Sequence, residues 1–212
     1  MYALIKVCEY KVRNNNDLYQ KITEYPWYKW ISHATPISIR TRGETKVFPN
    51  PQFLTLKIKD AIVDNIRRKT KRRPDIEKEN PIYSLFVFND SNTIKIFLNS
   101  SGLSLSKRGY RDKIHKASLN EALAAGLVLL SGWKSDQPFY DPMCGSATIP
   151  IEAAMIGRNI PGGYYRKEFG FQKWENYDPR LWNKIVKEAK KNISNDRLFI
   201  YGSDNVGANI DL

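Results

Sequence analysis

Between Phe139 and Ala154 the residue types change in an order that suits a ligand site: Phe139-Tyr140-Asp141-Pro142-Met143-Cys144-Gly145-Ser146-Ala147-Thr148, then Ile149-Pro150-Ile151-Glu152-Ala153-Ala154. An apolar pair runs into an acid, small residues follow, and helical spacing begins at Thr148. In an α/β sheet that order brings a strand end, a tight turn and a helix N-terminus to a small molecule. Gly145, lacking a Cβ, lets the backbone turn and approach a ligand closely. Ser146 and Thr148 are expected to cap the helix, whose first-turn N–H groups face the ligand. No Gly-Lys-Ser/Thr follows, so this is not a Walker A loop, and the full G-x-G-x-x-G fingerprint is missing. An ordinary βα turn is the competing reading of these residues taken alone.

A second set of residues could meet a polyanion. Arg67, Arg68, Lys69, Lys71, Arg72 and Arg73 place six cations in seven positions with no acid between them. Such a cluster repels itself unless it meets opposite charge, which favours RNA contact over a solubilising tail. Lys57 and Lys59 precede it on the same element and fit a solvated helix face equally well. Lys107, Arg108 and Arg111 could touch RNA or be ordinary connector charge, and their types do not decide between the two. Two isolated His and no clustered carboxylates make no general-base constellation and no metal site.

The elements that must carry these residues can be read in chain order. Tyr2 to Tyr10 alternates as a strand. A helix capped by Asp17 should run to about Ile31, with Pro26 ending or kinking it. Pro36 to Arg42 is a short strand. From Pro51 to Lys69 a helix is predicted, with Leu54, Ile58, Ala61, Ile62 and Ile66 forming a buried stripe. Pro74 to Pro81 is a loop, and Tyr83–Phe88 and Thr93–Leu98 form a hairpin across Asn89-Asp90-Ser91-Asn92. Residues 100–116 form a polar connector. Ser118 with Glu121 reads as a capping box for a helix to Leu130, with Leu119, Leu123, Leu127 and Leu130 facing inward. A strand over Pro138–Asp141, the loop, and a helix over Thr148–Gly157 follow. The aromatic stretch 158–178 (Tyr164, Tyr165, Phe169, Phe171, Trp174, Tyr177) could stack a flipped base, but core capping is the favoured reading. An amphipathic helix over 179–193 and a strand over Leu198–Tyr201, ending Gly202-Ser203-Asp204, complete the pattern.

The wording of several stretches resembles one known family. Asp-Pro-Met-Cys-Gly-Ser-Ala-Thr followed by Ile-Glu-Ala-Ala-Met-Ile (141–156) resembles motif I of the THUMP-containing RNA methyltransferases related to the 23S rRNA guanine-N2 methylases. Lys-Asp-Ala-Ile-Val-Asp (59–64), Lys-Glu-Asn-Pro (78–81) and Ser-Gly-Leu-Ser-Leu-Ser-Lys-Arg-Gly-Tyr-Arg (101–111) are similar to that family too. The resemblance implies an α/β chain in which an α+β, ferredoxin-like and THUMP RNA-binding part precedes the beginning of a Rossmann-like methyltransferase sheet. The implied divisions are a partial ferredoxin-like region at 1–50, a THUMP region at 51–100, a linker at 101–116 and a truncated methyltransferase domain at 117–212. It further implies that S-adenosylmethionine is held by Asp141, Pro142, Met143, Cys144, Gly145, Ser146, Ala147 and Thr148. Asp204 would accept hydrogen bonds from the cofactor's ribose. The implied partner is RNA, in particular large-subunit rRNA.

Two departures from the family stand out. Ala147 occupies a position where the family usually has Gly, so its Cβ could crowd a cofactor. The family's Asn-Pro-Pro-Tyr-type motif, which positions the target amine, does not occur in the sequence, so no catalytic residue is assigned and the chain is expected to be an interior piece of a longer protein.

Composition limits the classes that remain. With 42% hydrophobic residues the chain can bury a core, which argues against wholesale disorder. The net charge is +12, and residues 1–110 hold 20 Lys and Arg against 10 Asp and Glu, a net of +10. Nucleic acid is therefore the expected partner, met chiefly by the first half. Two cysteines give no disulfide framework, and the longest apolar run is Ala122 to Leu130, far short of a membrane span, so a cytoplasmic protein is expected. The competing functional reading is a non-catalytic RNA-binding protein with a vestigial cofactor loop.

Overall fold

The structure, a computed structural model, describes residues 1–77, 79–111 and 118–207. Lys78 of the 78–81 motif, residues 112–117 of the connector and the last five residues of the chain lie outside the described residues.

The chain divides into two compact units, one made of residues 2–102 with 169–177, the other of residue 1 with 103–168 and 178–212. The first unit contains β1 (Leu4–Lys11), α1 (Asn15–Glu24), β2 (Ile37–Arg42), α2 (Pro51–Thr70), β3 (Tyr83–Asp90) and β4 (Thr93–Asn99). Its sheet runs β1-β4-β3-β2, with β4 antiparallel to both neighbours and β2 parallel to β3. The β3–β4 hairpin turns at Ser91, which adopts φ 54. In β4 the residues alternate, so Ile94, Ile96 and Leu98 point into the core. The predicted stripe of α2 is buried to the last residue: Leu54, Ile58, Ala61, Ile62 and Ile66 are each 0% exposed. They share one core with Leu18, Ile22, Trp27, Ile37, Leu85 and Val87, so residues 1–50 and 51–100 contribute to a single sheet and a single core.

The cap and the extent to Ile31 expected of the first helix are corrected here, while Pro26 does mark its end. Asn14, not Asp17, caps α1, its side-chain oxygen accepting from the N–H groups of Asn16 and Asp17. The Asp17 carboxylate instead accepts the Arg13 N–H at 2.9 Å. The helix stops at Glu24, before Pro26, and a separate short turn over Trp27–Lys29 buries Trp27. The aromatic stretch divides: Phe169–Tyr177 belongs to this first unit, where Trp174 packs on the core and its ring lies 6.1 Å from that of Tyr83. Trp174 thus caps the core, and the Phe171 ring lies 6.5 Å from it and 5.9 Å from that of Tyr177.

The second unit contains α3 (Glu121–Leu130), β5 (Phe139–Asp141), α4 (Thr148–Gly157), α5 (Pro179–Lys191) and β6 (Ile200–Gly202). Strands β5 and β6 are parallel, with Asp141 opposite Gly202, and α4 packs on both. Asn120 caps α3 by accepting from Ala122 and Leu123, so the expected Ser118–Glu121 box does not form. The expected inward Leu face is also corrected. Leu123, Leu127 and Leu130 are exposed, while Ala124, Ala125 and Val128 are buried. Small side chains let α3 approach α4 closely, and a uniformly apolar helix has no period from which that face could be read. In α5 the stripe residues Leu181 and Ile185 are exposed. Among the described residues no helix is long and apolar enough to cross a membrane.

Candidate functional site

The loop between β5 and α4 is held against the loop that leaves β6. Ser203 N–H donates to the Asp141 carbonyl at 2.9 Å, and Cys144 N–H donates to the Ser203 carbonyl at 2.9 Å. The Asp204 carboxylate completes the stitching: one oxygen accepts the Gly145 N–H at 2.9 Å, the other the Val206 N–H at 2.9 Å. The Asp141 carboxylate accepts the Met143 N–H at 3.2 Å. Asp141 ends β5 and Asp204 lies just past β6, so both acids sit at the carboxyl ends of two parallel strands, where open α/β sheets place their ligands. The expected site residues from Asp141 to Thr148 and Asp204, distant in sequence, are brought together. Pro142 is exposed, and Met143 is 84% exposed at the tip.

The loop turns through two left-handed residues. Gly145 has φ 54 and Ala147 has φ 56. A Cβ built at Gly145 would meet nothing within 4 Å, so glycine is needed there for backbone conformation and the space beside it is open. Gly202 is the close approach: a Cβ there would lie 3.0 Å from Cys144 Sγ. Ala147 begins α4 with no side-chain cap, which corrects the expectation for Ser146 and Thr148. Ser146 Oγ lies 3.3 Å from Ser118 Oγ, and Thr148 Oγ1 accepts from the Arg111 guanidinium. Both hydroxyls are engaged away from the helix's N–H groups. A cofactor with hydroxyl donors and a compact polar head fits this arrangement, because the open side of Gly145 lies beside a carboxylate fixed by two backbone donors. Among the described residues no group of His, Cys, Asp or Glu is placed to hold a metal ion.

The basic residues separate into two groups. Arg67, Arg68, Lys69, Lys71, Arg72 and Arg73 are all exposed at the end of α2, where Lys71 closes the helix at φ 62. Arg67 makes an exposed pair with Asp64, Lys69 lies 5.6 Å over the Tyr28 ring, and an Arg72 nitrogen is 3.4 Å from His33 Nε2. Lys57 is half-buried, 5.6 Å over the Phe53 ring.

Arg108 and Arg111 are bound to partners within the protein. Arg108 donates to both carboxylate oxygens of Glu152, at 3.2 and 3.1 Å, and Glu152 is only 2% exposed. The Tyr110 hydroxyl donates to the same carboxylate at 3.1 Å; burial first, then that negative charge, pushes the Tyr110 phenol well above its ordinary range. Arg111 reaches the Leu119 carbonyl, the Glu121 carboxylate and Thr148. Two cations whose types did not decide between RNA and connector charge reach Glu152 and Thr148, 44 and 37 residues away, and Glu152 was the residue left unread. Its place on an otherwise apolar helix was the available signal, since a buried acid needs a partner. Lys107 is exposed.

Residues 12–99 match the family described as THUMP domain, and residues 108–211 match that described as RMKL-like, methyltransferase domain. The chain is 36% identical over 203 residues to the ribosomal RNA large subunit methyltransferase K/L of Vibrio cholerae, covering 94% of this chain and 29% of that protein. It is 37% identical over 183 residues to the protein of the same name from Buchnera aphidicola, covering 86% of this chain and 26% of the relative. The chain thus spans less than a third of the length of these curated relatives. Among solved structures, a predicted N6-adenine-specific DNA methylase from Listeria monocytogenes superposes with a TM-score of 0.88 at 30% identity, over 99% of this chain and 55% of that one. SMU.472, named as a methyltransferase and complexed with SAH, superposes with a TM-score of 0.82 at 29% identity, over 98% of this chain and 55% of its own.

Proposed function

Because this chain belongs to the THUMP-containing, RMKL-like methyltransferases, we propose that it forms the RNA-binding and cofactor-holding part of an S-adenosylmethionine-dependent rRNA methyltransferase. The observation that carries the proposal is the stitched pair of loops beyond β5 and β6, with Gly145 N–H bound to Asp204 and open space beside Gly145. The residues from Asp141 to Thr148 receive the methionyl side of the cofactor, and Asp204, already oriented by two N–H groups, accepts from the ribose hydroxyls. When bound, the cofactor supplies an electrophilic methyl group on a sulfonium centre. The protein's contribution is to hold that group still and to place an amine in line with it, which lowers the barrier by positioning.

RNA is held by the first unit. Its exposed cations at the end of α2 meet phosphates, and binding releases counterions, so affinity falls steeply with salt. The relatives named as large-subunit rRNA methyltransferases support that RNA as the substrate. The finer assignment, guanine N2, rests on the resemblance of motif I to the guanine-N2 methylases. The Listeria protein's name favours a second reading, an adenine N6 acceptor. Both acceptors are exocyclic amines on purines, and what distinguishes them is the base presented.

The test is nucleoside analysis of large-subunit rRNA from cells in which the gene is deleted and then restored. Loss and return of one N2-methylguanosine supports the proposal. Loss of an N6-methyladenine establishes the second reading, and an unchanged methylation pattern refutes both.

A further inference from the structure

The peptide from Leu103 to Arg111 is fastened along its length rather than hanging as a linker. The Arg166 guanidinium donates to the carbonyls of Leu103, Ser104 and Lys107 at 3.2, 2.9 and 2.8 Å. Gly109, at φ 93, lies so close to Tyr165 that a Cβ would sit 2.4 Å from its carbonyl oxygen. Around it, Arg108 and Tyr110 bond Glu152, and Arg111 bonds Thr148. Thr148 and Glu152 are four residues apart and therefore lie one above the other on one face of α4.

We propose that Arg111 is a positioning residue for the 141–148 loop, and that the Leu103–Arg111 peptide is the brace it acts from. The loop passes through left-handed backbone at Gly145 and Ala147 and enters α4 without a side-chain cap. At Ala147, which is not glycine, such backbone is strained and persists only where the surroundings fix it. Asp204 holds it on one side, at the Gly145 N–H. On the other side Arg111 holds Thr148, the residue after Ala147. A cation at a helix N-terminus would ordinarily oppose the helix dipole. Here Glu121, at 3.5 Å, and the Leu119 carbonyl, at 3.3 Å, offset that charge, so Arg111 can grip the first turn of α4 without that conflict. Glu152 anchors the brace one turn further along.

The consequence for cofactor affinity rests on the function proposed above, but the loop's position can be read without any cofactor. Cys144 lies inside the loop, half-buried with its Sγ over Gly202. Cys8, the other thiol, is pushed by burial to a pKa of about 12 and is silent at pH 8. The reaction of Cys144 with a disulfide reagent in the 212-residue chain therefore reports loop opening. Arg111→Met should accelerate it about tenfold or more, and Thr148→Val should do the same. Combining the two should add little, since both remove one interaction, while Thr148→Ser should keep the parent rate and thermal midpoint. In parallel, titration with S-adenosylhomocysteine should show affinity falling about tenfold in the two faster variants. If Arg111→Met does not fold, Thr148→Val carries the test, because it removes only the acceptor. A Cys144 rate within twofold of the parent in the folded variants overturns the positioning role, whatever happens to affinity. Faster thiol reaction in a chain that binds no S-adenosylhomocysteine keeps the positioning role and overturns the cofactor assignment instead.

Discussion

Replacing Ala147 by glycine should stabilise the second unit. Ala147 has φ 56 and ψ 29, a conformation that costs an L-residue about 1–2 kcal/mol because its Cβ approaches the following carbonyl. Glycine adopts it freely, but its greater freedom in the unfolded chain offsets about 0.4–1 kcal/mol of the gain. The difference is about 1 kcal/mol in favour of Ala147→Gly. For a unit of this size that corresponds to about 4–8 °C in melting temperature, measurable by differential scanning calorimetry. The change should leave S-adenosylhomocysteine affinity intact or raise it, since it also removes a methyl group from the loop. Gly145→Ala provides the mirror experiment. Its Cβ would meet nothing within 4 Å, so any loss arises from φ 54 alone and should be about 1 kcal/mol. A lower melting temperature for Ala147→Gly would refute the strain argument and mean that the alanine methyl is packed to advantage.

Replacing Arg67, Arg68, Lys71 and Arg72 together by Ala should weaken RNA binding and reduce the slope of log affinity against log salt by about 0.7–0.9 for each phosphate no longer neutralised, and an unchanged slope would remove this surface from the interface. Glu152→Ala should destabilise the second unit by about 3–5 kcal/mol in urea melts, because it leaves the Arg108 cation buried without its partner; a loss under about 1 kcal/mol would show that water replaces the carboxylate. Burial raises the Cys8 thiol to about 12, so the folded state favours the protonated form, and this contribution is full below the ordinary thiol value of 9.0 and lost as pH rises toward 12. The stability difference between the parent and Cys8→Ala should accordingly shrink as pH rises from about 9 toward 12, and a widening difference would contradict the burial.

What could be read from the residues depended on whether the deciding partner was near in sequence. The α2 stripe was legible because period 3.6 is a local property, and the loop was legible because strand end, small residues and helix start follow one another. The bounds of α4, Thr148–Gly157, were expected from the same run. Cap choice was not legible where several capping residues crowd together. Asn14 stands near Asp17 and Asn120 near Ser118, and the backbone geometry that selects one is set by how the helix docks. Nor was the inward face of α3, whose Glu121–Leu130 run is apolar on every side after its first residue. The roles of Arg108 and Arg111 were hidden for a different reason. A cation's function depends on the charge it meets, and Glu152 and Thr148 are brought to them only by the packing of α4. Asp204 was named through the resemblance, but its bond to Gly145, which spans fifty-nine residues, was not legible.

The central claim is that the loops after β5 and β6 together hold S-adenosylmethionine, with Asp204 as the ribose acceptor. Calorimetric titration of S-adenosylhomocysteine into the chain and into its Asp204→Ala variant tests this directly. One binding site per chain is expected, with affinity weakened in the variant by about 1–3 kcal/mol, the cost of losing hydrogen bonds to a charged acceptor. An absence of binding by the parent chain, or equal affinity in the two proteins, would contradict it.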